Sequence, residues 1–366
     1  MANLEPGVPQ QTGPAPTETI RQLGDDKGIS QGRLVFKRFV GHKPAMISLV
    51  LLVLVIGFAM SASGAFGIQG WWKWSYEELL PPVEQGRPTL QLWPFSFGDH
   101  PFGQDTVGKD YFAMVMRGVV NSTVVMFILG AVATFIGVVV GAVAGYYRGW
   151  VDAVLMRITD IVIIIPIIVI GAVVGSAMGA LGPVVLALFL GFFAWTGMAR
   201  LVRAEFLSLR EREFVEAARV AGASDARIIF KHILPNAMGI VIVSATLAIA
   251  AAILLETSLS FLGYGIQAPD VSLGSLISRN ESAFQTRPWL FWWPAVFIVL
   301  LSLLVNFVGD GLRDAFDPRQ KNVVFRRVKE LPQDENVMVT TATVEDVPGG
   351  PNVADSPDEV ERREGR

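Results

Sequence analysis

Few residues of this chain are equipped for chemistry. It has no cysteine, which excludes a disulfide, a thiolate metal site and a cysteine nucleophile. Its three histidines, His42, His100 and His232, are far apart and form no HExxH or close pair. No GxxxxGK[ST] phosphate loop and no glycine-rich loop after a strand occurs, so the chain carries no nucleotide site of known pattern. Nor is there a nucleophile–base constellation. Two features remain. Glu256 is a lone carboxylate near the end of a long apolar stretch, where a charge is costly unless it faces a cavity or a partner. It is a candidate for lining a translocation path, with a structural role as the alternative. The other feature is a charged segment, Glu211 to Asn236, set between two apolar stretches. Glu216, Ala217 and Ala218 favour a helix. Gly222 can take the left-handed conformation that closes it. Ser224 can cap a second helix, with Asp225 in its first turn, and Pro235 suits the first turn of a further one. The segment reads as helix, sharp turn, helix.

The elements that must hold these residues are membrane helices. Of 366 residues, 52% are hydrophobic and 17% charged; a soluble chain carries about a quarter charged residues. Mean hydropathy is +0.47, and the charges are segregated away from long apolar runs. This is an all-α integral membrane protein with about six spans, expected near 45–65, 121–146, 161–179, 183–207, 235–261 and 289–306. The leader before the first apolar run is too long, and the run too wide, for a secretory signal, so the first span is read as uncleaved. Residues 1–32 and 320–366 read as disordered tails, the second one acidic. Residues 33–66 hold a basic lead-in helix and the first span; Arg33 to Lys43 suits the membrane interface. Residues 67–111 form a long loop whose Trp71, Trp72, Trp74 and Trp93 suit a membrane–water boundary. Residues 112–319 form the core, five helices with a loop at 208–235.

Orientation follows from lysine and arginine. Arg33, Lys37, Arg38 and Lys43 flank the first span. Arg148 and Arg157 follow the second, Arg200 to Lys231 follow the fourth, and Arg313 to Lys329 follow the sixth. The alternate loops are nearly free of them. Both termini and the charged segment are therefore expected in the cytoplasm. Gly137, Gly141 and Gly145 recur every fourth residue in the second span, as do Gly171, Gly175 and Gly179 in the third. That period makes a smooth groove for a neighbouring helix. Arg157 and Asp160, three apart, are placed to pair with each other.

The charged segment resembles the signature loop of bacterial ABC-importer permeases: E-A-A, three residues, G, nine residues, I-x-L-P. Glu216, Ala217, Ala218, Gly222, Leu234 and Pro235 match it, and His232 takes the isoleucine position. His-Ile-Leu-Pro-Asn is similar to the version in the dipeptide/oligopeptide/nickel subfamily. Phe102–Phe112, Ser258–Gly265 and Gly309–Arg319 resemble three further motifs of that subfamily, in order. Departures include Gln104, Lys109, Val120 and Leu273; they bear on the substrate.

The resemblance implies a type I importer fold and a bacterial inner-membrane location. It implies a second homologous permease, one or two ATPases that bind ATP and magnesium, and an extracytoplasmic solute-binding protein. This chain itself would hold no cofactor, contact no nucleic acid and catalyse nothing. Glu211–Gly222 would be the coupling helix, with Glu213, Phe214, Glu216, Ala217, Ala218, Gly222, His232, Leu234 and Pro235 as ATPase-coupling residues. Di- or oligopeptides are the leading cargo; nickel, haem or another small solute fit the same architecture. Two readings from other classes stand beside it. An ion-coupled carrier or channel predicts inverted repeats or midplane charges, and a membrane-embedded hydrolase needs a metal or nucleophile site. Neither explains the signature loop.

Overall fold

Helix starts and stops in this chain are set by short polar side chains and by glycine and proline. The computed structural model describes residues 31–64, 69–93 and 95–316. Of the tails expected at residues 1–32 and 320–366, the first lies outside the described residues up to residue 30 and the second entirely, as does the end of the Gly309–Arg319 motif; residues 31 and 32 are already helical. A short basic helix, α1 (Gln31–Gly41), leads into α2 (Lys43–Ser63). His42 caps α2, its Nδ1 accepting from the Ala45 N–H at 3.3 Å, and Pro44 sits in the first turn, where its missing N–H is harmless. The 21 residues of α2 span about 32 Å, enough for a hydrocarbon core of about 30 Å. A long loop follows, with a two-stranded hairpin of β1 (Gln91–Leu92) and β2 (Phe95–Ser96).

Helix α3 (Tyr111–Tyr147) has 37 residues, about 55 Å. It begins ten residues before the expected second span, because Asp110 caps it and Tyr111 to Met116 are buried. Its last turn gives way to Arg148 and Gly149, both at positive φ. The expected third and fourth spans are pairs of helices bent at a short break. Helices α4 (Gly149–Ile164) and α5 (Ile167–Met178) bend by 77° at Pro166, which has no N–H to continue the ladder. Helices α6 (Pro183–Phe193) and α7 (Thr196–Arg210) bend by 47°. Then come α8 (Glu213–Val220), α9 (Asp225–Phe261), the short α10 (Leu273–Arg279) and α11 (Trp289–Phe316). Among the described residues, α2, α3, α9 and α11 are each long and apolar enough to cross a membrane, and counting each bent pair once gives six candidate spans.

One local expectation is refined and another corrected. Pro235 sits in the first turn of the α-helical stretch Leu234–Phe261, as expected, but the helix does not break before it: α9 runs through a π-helical turn, Ile228–Ile233, in which the Leu234 N–H reaches the Ile229 carbonyl. The wider turn absorbs the missing donor and the ring of the proline. Asp160 pairs with Arg200 of α7 at 2.5 Å, not with Arg157. The partner supplied by the neighbouring helix is the one in reach.

Packing without a hydrophobic drive between helices depends on close approach. Gly137, Gly141 and Gly145 face α7. A Cβ at Gly137 would meet Met198, one at Gly141 would lie 2.5 Å from the Ala199 carbonyl oxygen, and one at Gly145 would meet Phe206. Gly171 faces Leu259 of α9. At Gly175 a Cβ would fall 1.6 Å from the Tyr264 carbonyl oxygen, and at Gly179, just past α5, 2.4 Å from that of Gly265. Arg203 on α7 adds a two-pronged bond to Asp152 on α4 at 2.5 and 2.6 Å.

The bundle has two unlike ends. At one lie the 69–110 loop, α10 and the start of α11, where the Tyr111 hydroxyl donates to the Leu290 carbonyl. At the other lie α1, Arg148, α8 and the end of α11, where Gly311 packs on Ala45 and Gly239 on Phe316. Replacing Gly141 with leucine should cost about 1–3 kcal/mol through overpacking and lower the thermal midpoint of the solubilised protein. Gly197→Ala, whose methyl meets nothing within 4 Å, should leave that midpoint unchanged.

Candidate functional site

The charged segment is mounted on three helices yet offers most of its surface to the outside. Val215 is its single fully buried apolar anchor in α8, packed in a cluster with Phe206, Ile228, Ile229 and Ile233. Around it Glu213, Phe214, Glu216 and Ala217 are exposed, and Ala218 is half-buried. Helix α8 closes through a two-bond glycine turn: the Ala223 N–H reaches the Ala218 carbonyl and the Gly222 N–H that of Arg219, both at 3.0 Å. Gly222 has φ +79° with open space around it. Its requirement is therefore one of backbone conformation alone. Ser224 stands in the cap position of α9, but its hydroxyl makes no cap bond. Asp225 instead accepts from the Tyr146 hydroxyl at 2.7 Å.

Tyr146, at the end of α3, is the hub beneath the segment. Besides Asp225, it holds Arg210, whose guanidinium donates to the Tyr146 carbonyl at 2.5 Å and lies over its ring at 5.6 Å. Arg148 pairs with Glu211 at 2.7 Å in the turn before α8. The frame is thus tied to α3, α7 and α9, while the Glu213 and Glu216 carboxylates make no hydrogen bond or ion pair among the described residues. Three apolar side chains stay uncovered beside them: Phe214, Val220 at 91% and Phe230 at 69% exposure. His232 and Leu234 are half-buried, and Pro235 is exposed. A rigid frame with free carboxylates and bare apolar side chains suits it for binding a complementary surface.

Glu256 is fully buried. Its carboxylate accepts from Ser122 of α3 at 2.9 Å and Ser260 of α9 at 2.6 Å. The Ser122 oxygen also accepts from the Leu273 N–H at the start of α10, at 3.4 Å. Glu256 therefore ties three helices. An apolar cavity of about 480 Å³ opens where the two bent helices meet α3 and α9. Ala248, Ala251, Ala252 and Leu255 of α9 line it with Pro166 and Phe193; Glu256 does not.

Two polar clusters at the opposite end lie outside the sequence expectations. Asp110 accepts from Trp72 at 2.9 Å and the Ala113 N–H at 2.7 Å, and sits 2.7 Å from His100, itself stacked on Trp74. Burial pushes the Asp110 carboxyl above its usual range, opposed by the bonds from His100, Ala113 and Trp72. An acidic residue just before an apolar helix is a cap signal that could have found it. Asp270 takes a two-pronged bond from Arg117, both at 2.8 Å, and another from Asn121 at 2.6 Å. Burial alone would raise the Asp270 carboxyl; the Arg117 guanidinium outweighs it and holds the group below its usual range. The partners are 153 residues apart, and no local spacing links them.

Residues 137–322 match the family described as binding-protein-dependent transport system inner membrane component, and residues 30–82 match the N-terminal TM domain of oligopeptide transport permease C. The oligopeptide transport system permease protein OppC of Mycobacterium tuberculosis is 37% identical over 295 residues, 80% of this chain and 97% of that one. OppC of Haemophilus influenzae is 36% identical over 78% of this chain and 88% of its own. A putative peptide permease protein of Brucella ovis is 34% identical over 82% and 96%. Among solved structures, the inward-facing MetNI methionine ABC transporter aligns with a TM-score of 0.47 and 22% identity, covering 56% of this chain and 96% of that one. The described helices, the two matched domains and the near full-length relatives converge: this chain is a multi-pass membrane protein and belongs to the family of inner-membrane components of binding-protein-dependent transport systems.

Proposed function

We propose that this chain is one of two permease subunits of an ATP-driven importer of di- and oligopeptides, with α8 as its coupling helix. The observation that carries the reading is the segment from Glu211 to Pro235. It is held on α3, α7 and α9 by Val215, Tyr146 and Arg210, yet leaves Glu213, Phe214, Glu216 and Val220 exposed. In a chain without a phosphate loop, that surface is the place where a separate ATPase can act. The names of the relatives support a peptide cargo.

In this reading the arginine-rich end faces the cytoplasm, along with both termini. The ATPases bind ATP and magnesium, and a solute-binding protein delivers cargo at the tryptophan-rich end. Closure of the ATPases moves α8, and its ties carry the motion into α7 and α9. The breaks at Pro166 and between Phe193 and Thr196 let the bent spans pivot while the glycine seams hold. Access to the cavity between them then alternates.

The mechanical role of α8 depends on the shape of its closing turn. A β-branched residue is strained at the φ of Gly222 by about 1–3 kcal/mol, whereas asparagine tolerates it. With partner permease, ATPases and binding protein reconstituted, Gly222→Val should lower substrate-stimulated ATP hydrolysis about tenfold and leave membrane insertion intact. Gly222→Asn should stay near the parent; normal stimulation in Gly222→Val would overturn the coupling role. In the same preparation, di- and oligopeptides should stimulate hydrolysis and accumulate in vesicles only with ATP. Stimulation by a nickel chelate or haem but not by peptides would reassign the cargo, and uptake by the chain alone would overturn the importer.

A further inference from the structure

Helix α1 is not consumed by the transport role. Six of its residues fall into three stripes, each an i, i+4 pair, side by side around the helix. Val35 and Phe39 are half-buried, with Phe39 against the α11 end near Gly311. Next come Phe36 and Val40, 69% and 46% exposed. Beyond them stand Arg33 and Lys37, both exposed. Residues 31–43 contain no aspartate or glutamate, and among the described residues Asp314 pairs with His42 at 3.3 Å. On α2, which follows directly, Ile47, Val50, Leu51 and Leu54 are exposed as well. That helix is long and apolar enough to cross a membrane.

We propose that α1 is an anionic-lipid-binding helix lying in the leaflet at the α8 end of the bundle. Phe36 and Val40 enter the acyl boundary beside the first turns of α2. Arg33, Lys37 and Lys43 bind the phosphates of acidic headgroups. The order of the stripes gives the orientation: protein on one side, hydrocarbon next to it, headgroup outermost. Direct attachment of the apolar stripe to a helix long and apolar enough to span, together with a run of sequence that has cations and no acid, selects a bilayer surface over a protein partner.

The absence of cysteine makes the test direct. Phe36→Cys and Lys37→Cys variants of the full chain, each spin-labelled, are reconstituted into bilayers of phosphatidylglycerol mixed with phosphatidylcholine, or of phosphatidylcholine alone. Collision rates with oxygen and with a water-soluble nickel chelate then report depth. In the acidic bilayer the Phe36 label should lie about 5–10 Å below the headgroup boundary and the Lys37 label in water. In phosphatidylcholine alone the Phe36 label should be shallower. Arg33→Gln with Lys43→Gln should abolish that difference between lipids. A Val40→Cys label gives the same reading should Phe36→Cys assemble poorly. Nickel accessibility at position 36 equal to that at 37 would overturn the proposal, as would shielding from both reagents, which means a protein covers the stripe. A depth independent of lipid charge in the parent would overturn the headgroup contact.

Discussion

The constraint on which this structure depends is the approach of α3 to α7 along Gly137, Gly141 and Gly145. Between two helices in hydrocarbon there is no solvent to expel, so association rests on van der Waals contact and on how near the backbones can come. At each of these glycines an added Cβ would lie within 3 Å of the facing helix. The seam fixes the depth and rotation of α7, and α7 leads directly into α8. It also brings Tyr146, one residue past the last glycine, beneath Arg210 and Asp225. The exposed segment is therefore placed by contacts made inside the bundle.

The two ends of the bundle are built differently, in keeping with different duties. At the tryptophan-rich end, polar groups staple elements together. Asp110 caps α3 and gathers Trp72 and His100, Asp270 locks onto Arg117 and Asn121, and Glu256 joins α3, α9 and α10. Each carboxylate here is bonded by several donors, as burial of charge requires. At the arginine-rich end the carboxylates of Glu213 and Glu216 have no partner among the described residues and Val220 is bare. Between the ends, the bent spans border an apolar cavity. A permease that is worked on from one side benefits from this division: firm where α10 is held, open to a partner where α8 projects.

Much of this was legible from residue types. The candidate membrane helices followed from apolar runs, and the left-handed turn at Gly222 followed from a glycine placed just after good helix formers. The glycine spacing pointed to close-packed faces. What escaped was whatever depended on another part of the chain. Pro235 does stand in the first α-helical turn, but the π turn that joins it to the chain before leaves no local mark. Asp160 had an arginine three residues away and a better-placed one on α7. Ser224 carried a cap signature, but its hydroxyl was not used and Asp225 turned to Tyr146. Arg117 and Asp270 are unremarkable singly and become a cluster only when α3 meets the loop before α10. Local propensity speaks for elements; contacts between elements need the fold.

The central claim is that α8 is the surface through which an ATPase moves the spans. The cysteine-free chain allows a single thiol at Val220, the most exposed apolar residue of the segment, and a matched control at Phe95 on the hairpin at the opposite end. With the complex assembled in membranes, a short bifunctional thiol reagent should join position 220 to an ATPase subunit, in a yield that changes with bound nucleotide, and should leave position 95 unjoined to it. A complex that hydrolyses ATP normally while position 220 never cross-links, or cross-links without regard to nucleotide, would contradict the account.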